Sequence, residues 1–321
     1  MTHRKLALSL LALASVSSPP ALAAEDYPSR PVRMIVGFPP GGATDLVARF
    51  IQPKMSELLG KQVVVDNRPG ANGVISLEML ARAQPDGHTV GFGHIGGLVI
   101  SPAIQKVAYD PLKSFTPIGL MVTLQNIIIV HPSLNAKSVN DLLAMAKAQP
   151  GKLNYASSGV GSPGHLAAEL LEGMTGVTMN HVPYKGGGPA ITDLLAGHVP
   201  AFFAVISTAV PHVLSGRARA IAVTGDKRAG ALPDVPTLGE TVRGYSATNW
   251  YGLVAPAGTP KPIVDRIHRE LTAALQSPEV IKQLNSRGID STPTSPTDYA
   301  AFIVAETKKW HPIIRKANIK P

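Results

Sequence analysis

Most of the residues whose types and spacing can do chemistry lie in three glycine loops, each set between a β-type run and a helix-type run. They are Gly41-Gly42 with Thr44 and Asp45, Ser157 to Gly164 followed by His165, and Gly186 to Gly188. The first N–H groups of a helix lack partners within it, and the macrodipole is positive there, so each loop suits an anion. Glycine also lets backbone approach a ligand with no Cβ in the way. Any one of these loops is equally a plain tight connection. Three of them, spread over two α/β units, point to a cleft that clamps a small acid.

Other chemistries fit less well. Gly159-Val160-Gly161-Ser162-Pro163-Gly164 matches the dinucleotide fingerprint letter for letter. However, Pro163 removes a donor from the turn, and the next strand offers His181 and Lys185 in place of a ribose-binding acid, so no nucleotide cofactor is expected. Ser157, Ser158 or Ser162 could act as a nucleophile with His165 and Asp193 or Glu169, but the chain has no G-x-S-x-G elbow. An exported serine hydrolase therefore stays a remote alternative. The ten histidines show no metal-ligand spacing, and the chain has no cysteine, so no metal, thiolate or disulfide site is expected.

The elements that must position these loops alternate in type. Strand-type runs at 32–36, 62–65 and 89–92 each lead into a loop, and helices follow the first two. After an irregular, proline-dotted segment to Pro117, a buried strand is expected at 126–130. The pattern then restarts: a helix at 139–149 opened by a Ser138/Asp141 capping box, a strand at 153–156, a helix at 166–174, a strand at 179–182 and a helix at 189–196. Strands at 201–205, 219–223 and 245–254 follow, and helices at 261–276, 278–287 and 297–316 finish the chain. This is an α/β pattern in two lobes. A signal peptide is expected at 1–23, lobe one at 24–125 plus 249–321, and an inserted lobe two at 126–248, with crossings near 122–127 and 246–251 and a ligand cleft between the lobes.

Composition agrees with that reading. The 321 residues suffice for about two domains, and a 45% hydrophobic content supports a real core. The formal charge is +9, but it is scattered, and aromatics make up only 5%, so no nucleic-acid partner is expected. Arg4 and Lys5, the apolar run Leu6 to Val16 and Ala21-Leu22-Ala23 read as an export signal cleaved near Ala23. No later run is long enough to span a membrane.

The chain also resembles a known family. Val36-Gly37-Phe38-Pro39-Pro40-Gly41-Gly42 with Thr44-Asp45, Asp66-Asn67-Arg68-Pro69-Gly70-Ala71, Gln84-Pro85-Asp86-Gly87, His181-Val182-Pro183-Tyr184-Lys185-Gly186 and Trp250-Tyr251-Gly252-Leu253 are similar to the Bug-type receptors of tripartite tricarboxylate transporters. The resemblance spans the whole mature chain. It implies a two-lobed, type II-like periplasmic binding protein that closes on a small carboxylate, has no catalytic residues or cofactor, and delivers its ligand to membrane permease subunits. A component that signals to a membrane receptor is the alternative.

Carried over position by position, the ligand site comprises Phe38, Pro40, Gly41, Gly42, Thr44 and Asp45 from lobe one, and Ser157, Gly161, His165 and Tyr184 from lobe two. Ordered water is expected to bridge lobe one to the ligand. Two departures bear on the ligand. Ala204 stands where many members carry an acid, which disfavours an amine-bearing ligand. His94 stands in a loop that more commonly holds small or hydroxyl residues, where it can donate to a second carboxylate or stack on an aromatic ring. A di- or aromatic carboxylate is expected.

Overall fold

The computed structural model describes residues 27–316, so the expected export signal lies outside the described residues. The chain begins with β1 (Val32–Val36), α1 (Ala43–Leu59), β2 (Val63–Asn67), α2 (Val74–Ala81) and β3 (Thr89–His94). β2, β1 and β3 run parallel in that order, as strands joined through crossover helices must. A π-turn at Gly96–Ile100 passes into the short α3 (Ser101–Ile104). The sequence reading placed no helix there.

β4 runs from Phe115 to Val130, which corrects the expectation of an irregular segment followed by a short strand. Pro117 cannot donate to a ladder, and the register against the neighbouring strand shifts between Pro117 and Gly119. A bulge there lets the strand continue through the proline.

The middle of the chain contributes α4 (Val139–Ala148), β5 (Asn154–Ser157), α5 (Pro163–Thr175), β6 (Asn180–Pro183), α6 (Gly187–Leu195), β7 (Ala201–Val205), α7 (Ile206–Leu214) and β8 (Arg219–Val223). Ser138 and Asp141 form the expected capping box on α4. β9 (Thr248–Pro256), α8 (Lys261–Gln276), α9 (Pro278–Asn285), β10 (Ile289–Ser291) and α10 (Pro296–Lys316) complete the fold.

β4 belongs to both sheets. Its first half pairs antiparallel with β9 and, at Val122 to Leu124, with β10, whereas Ile127 to Val130 lies antiparallel to both β7 and β8. The partners change between Gln125, opposite Thr248, and Asn126, opposite Val205. Both faces of the sheets are covered. Met34, Val36, Ile127 and Ile129 enter one core cluster, while Ile35, Ile128 and Val130 enter the other. Burial on both faces explains why these strands read as continuous apolar runs.

Candidate functional site

The loops after β1, β5, β6 and β7 converge on a cavity of about 80 Å³. Each loop opens a helix of eight residues or more: Gly42 to Thr44 begins α1, Ser162-Pro163 begins α5, Gly186 to Pro189 begins α6, and Val205 leads into α7. Gly42, Gly186 and Val205 form no side-chain cap on their helices, whereas the Ser162 hydroxyl accepts the His165 N–H. Thr208, Asn249 and Tyr251 complete the polar wall. None of the lining residues carries an ionised side chain. The electrostatic character of the cavity therefore comes from four positive helix ends and neutral donors.

Two titratable groups in this wall, His94 and Tyr251, stay neutral. The His94 ring is buried and packs edge-to-face on Phe38, with ring centroids 5.0 Å apart. Its Nδ1 accepts the Gly97 N–H at 3.2 Å, which leaves the ring proton on Nε2. That Nε2 has no partner in the protein. Burial lowers the His94 pKa to about 4, so the ring stays neutral. Burial likewise pushes the Tyr251 hydroxyl up to about 12, and the Asn249 amide donates to it. It stays a protonated phenol.

A larger chamber of about 640 Å³ adjoins this cavity, and Phe38, Pro39, Ser158 and Gly186 line both. Across it, the Asn72 side-chain amide donates to the Gly161 carbonyl at 2.7 Å. Asn72 and the preceding Ala71 both adopt left-handed backbone, with φ of 51° and 46°. Such strain in non-glycine residues persists only where the surroundings enforce it.

The sequence-selected residues fall into two groups. Phe38, Pro40, Gly42, Thr44 and His94 line the inner cavity, and Tyr184 lines the outer chamber. Gly41, Asp45, Ser157, Gly161, His165 and Ala204 line neither and act behind the wall. Burial raises the Asp45 pKa, but hydrogen bonds from Arg49, the Gly41 N–H and Asn67 outweigh it and hold the carboxylate below its ordinary value. Asp45 thus fixes the loop in which Gly41 takes a φ of 81°. The His165 Nδ1 accepts the Gly161 N–H at 3.0 Å, and its Nε2 faces Glu169 at 3.3 Å. The Tyr184 hydroxyl donates to Asp193 at 2.7 Å. Ala204 is fully buried in β7, next to the lining Val205.

The serine relay considered from sequence is not assembled. Ser157 is fully buried, and its Oγ lies 2.6 Å from the Nε2 of His181 rather than against His165. His181 stacks on His165 with centroids 4.0 Å apart. Ser158, Ser162, Thr208, Asn249 and Tyr251 were not selected as ligand residues. Thr208 sits on α7, which lies between the strands expected at 201–205 and 219–223 where no element was expected, and Asn249 and Tyr251 lie on β9, far along the chain from any glycine loop. The one available signal was polar residues inside an otherwise buried strand.

Residues 47–319 match the family described as the tripartite tricarboxylate transporter family receptor, TctC. BugT of Bordetella pertussis is 35% identical over 318 residues, covering 97% of this chain and 95% of that protein. The solved structure of Rpa4515 from R. palustris, with adipate, is 35% identical with a TM-score of 0.89, covering 92% of this chain and 100% of that one. MatC from Rhodopseudomonas palustris, with bound malate, is 32% identical with a TM-score of 0.84, covering 90% of this chain and 100% of that one. These likenesses extend to the α/β fold of periplasmic binding proteins, and members of the family are solute-binding proteins. The chain belongs to the Bug-type receptor family of tripartite tricarboxylate transporters.

Proposed function

We propose that this protein captures a small carboxylate, dicarboxylates foremost, between two lobes in the periplasm and presents it to the permease subunits of a tripartite transporter. The lobes are 24–125 plus 249–321 and 126–248. The observation that carries this reading is the convergence of four helix N-termini on a cavity whose lining holds no ionised side chain. An ammonium group would find no carboxylate there, whereas an acid meets donors from every side. Phe38, Pro40, Gly42, Thr44 and His94 supply one wall, and Ser158, Ser162 and Thr208 the other. Gly41 and Asp45 hold the first loop, while Ser157, Gly161 and His165 hold the second. Two relatives bound to dicarboxylates, adipate and malate, support the ligand class. Among the described residues no helix is long and apolar enough to cross a membrane.

Thermal unfolding of the purified mature chain against mono-, di-, tri- and aromatic carboxylates, with amino acids and sugars as controls, tests the reading. A carboxylate at about 1,000 times its dissociation constant should add about 4 kcal/mol and raise the midpoint by several degrees. Stabilisation only by amine-bearing or uncharged solutes overturns it.

A further inference from the structure

Both backbone polar groups of the buried Gly161 are held by side chains. Its carbonyl accepts the Asn72 amide at 2.7 Å, and its N–H donates to Nδ1 of His165 at 3.0 Å. The two contacts differ in kind. An amide donates at any pH, whereas an imidazole nitrogen accepts only while it carries no proton. The surroundings give His165 a route to that proton. The ring is 6% exposed, but its Nε2 lies 3.3 Å from Glu169, which in turn lines a surface cavity of about 230 Å³ with Glu172 and with Lys316 of α10. Glu169 therefore faces solvent on one side and the buried ring on the other. The His165 ring also stacks on His181 of β6, with centroids 4.0 Å apart, and Tyr155 of β5 stacks on His181 in turn. Burial, with the neighbouring His165, holds the His181 pKa well below its ordinary value, and burial beside Glu169 and Glu172 pushes the Tyr155 hydroxyl up. Both stay neutral. The remaining elements packed on α5, β4 and β7, contain no titratable residue.

We propose that His165 is a proton-sensitive latch on the loop after β5: the neutral ring holds Gly161, and protonation at Nδ1 releases it, so that acid loosens the loop and weakens ligand binding. The last clause rests on the carboxylate-receptor reading, because Ser162 and Pro163 of the same loop line the inner cavity. A protonated ring donates from both nitrogens, so its Nδ1–H confronts the Gly161 N–H while its Nε2–H keeps Glu169. Ligand binding selects the held loop and hence the unprotonated ring. Affinity is therefore full above the range in which the ring titrates and falls as pH drops through it, by up to about tenfold per pH unit for one proton.

Titration calorimetry of the mature chain with adipate and with malate, between about pH 5 and about pH 8 where imidazoles exchange protons, tests the latch. In His165→Asn an amide oxygen stands in for Nδ1 and takes up no proton. Relative to that variant, the wild-type affinity should fall by about tenfold or more from the top of the range to the bottom. The comparison cancels the ionisation of the ligand itself. Glu172→Gln should keep the fall, since Glu169 is the carboxylate that meets the ring. In the ligand-free wild type, NMR spectra should show the Gly161 amide shifting with the same midpoint as the His165 ring. Parallel profiles for the wild type and His165→Asn, a fall abolished by Glu172→Gln, or a Gly161 amide indifferent to the ring overturns the latch while leaving the receptor reading intact. If neither acid binds at any pH, the receptor reading is what fails, and the spectra still decide the latch.

Discussion

Glu172 on α5 and His181 on β6 titrate in opposite senses. Burial, reinforced by the neighbouring Glu169, raises the Glu172 pKa from 4.5 to about 7, against a lowering hydrogen bond from the Met179 N–H. A carboxyl whose folded value is raised contributes stability that is present below the unfolded value of 4.5 and lost as pH rises through about 7. Burial, with the neighbouring His165, lowers the His181 pKa from 6.5 to about 3, so its contribution is present above 6.5 and fades as pH falls towards 3. The two slopes oppose each other. Glu172→Gln keeps the oxygen that accepts the Met179 N–H and removes the charge. Melting curves between about pH 5 and about pH 8 should show the wild type losing stability relative to this variant as pH rises. Parallel curves would mean that Glu172 ionises as freely in the folded protein as in the unfolded chain. His94 belongs to the same scale. Its residue type was legible as a departure from the family pattern, but which ring nitrogen is free depends on the Gly97 N–H, a contact set by the π-turn.

At the scale of elements, α10 props up the strand that carries Asn249 and Tyr251. Glu306 is 7% exposed, and one of its carboxylate oxygens accepts both the Trp250 indole N–H at 2.9 Å and the Trp310 indole N–H at 3.1 Å. Glu306→Ala leaves two buried donors unpaired and should cost about 2 to 4 kcal/mol, measured by urea unfolding with a change in tryptophan emission. Glu306→Gln keeps an acceptor and should cost less; an equal cost for both would assign the effect to charge alone. The bridge was not legible in sequence, because Trp250 and Glu306 lie on elements remote along the chain. The helix starts were more legible, since Ser138 with Asp141 and Ser295 with Asp298 act within one turn. What sequence reading missed at this scale, namely α3, α7, β10 and the first half of β4, is short or masked by proline or apolar runs. Tertiary pairing decides such segments.

For the whole molecule, the Asn72 to Gly161 hydrogen bond is a side-chain contact that ties the loop after β2 to the loop after β5. Asn72→Gly removes the amide while accommodating the left-handed backbone at that position. A net hydrogen bond of about 0.5 to 1.5 kcal/mol predicts a ligand release rate higher by roughly twofold to tenfold, read by stopped-flow displacement. An unchanged release rate would show that this contact does not contribute to holding the cleft shut. The restart of the βα pattern after residue 126 was legible, whereas the sharing of β4 between both sheets was not, since strand partners lie outside any local window.

That shared strand also sets an order of assembly. As a chain emerges from its N-terminus, every strand that joins β5 to β8 in one sheet is available once Val223 has appeared, and that sheet can close. The other sheet waits. β3 and the first half of β4 keep bare hydrogen-bonding edges until Thr248 to Pro256 arrives to lie between them, pairing Gly91 with Val254 and Thr123 with Trp250. Until then the nascent protein carries two open edges of the kind that recruit strands from other chains. The window of greatest aggregation risk therefore closes with nine residues near the C-terminal quarter, and a chain truncated before them should be a substrate for chaperones rather than half a receptor.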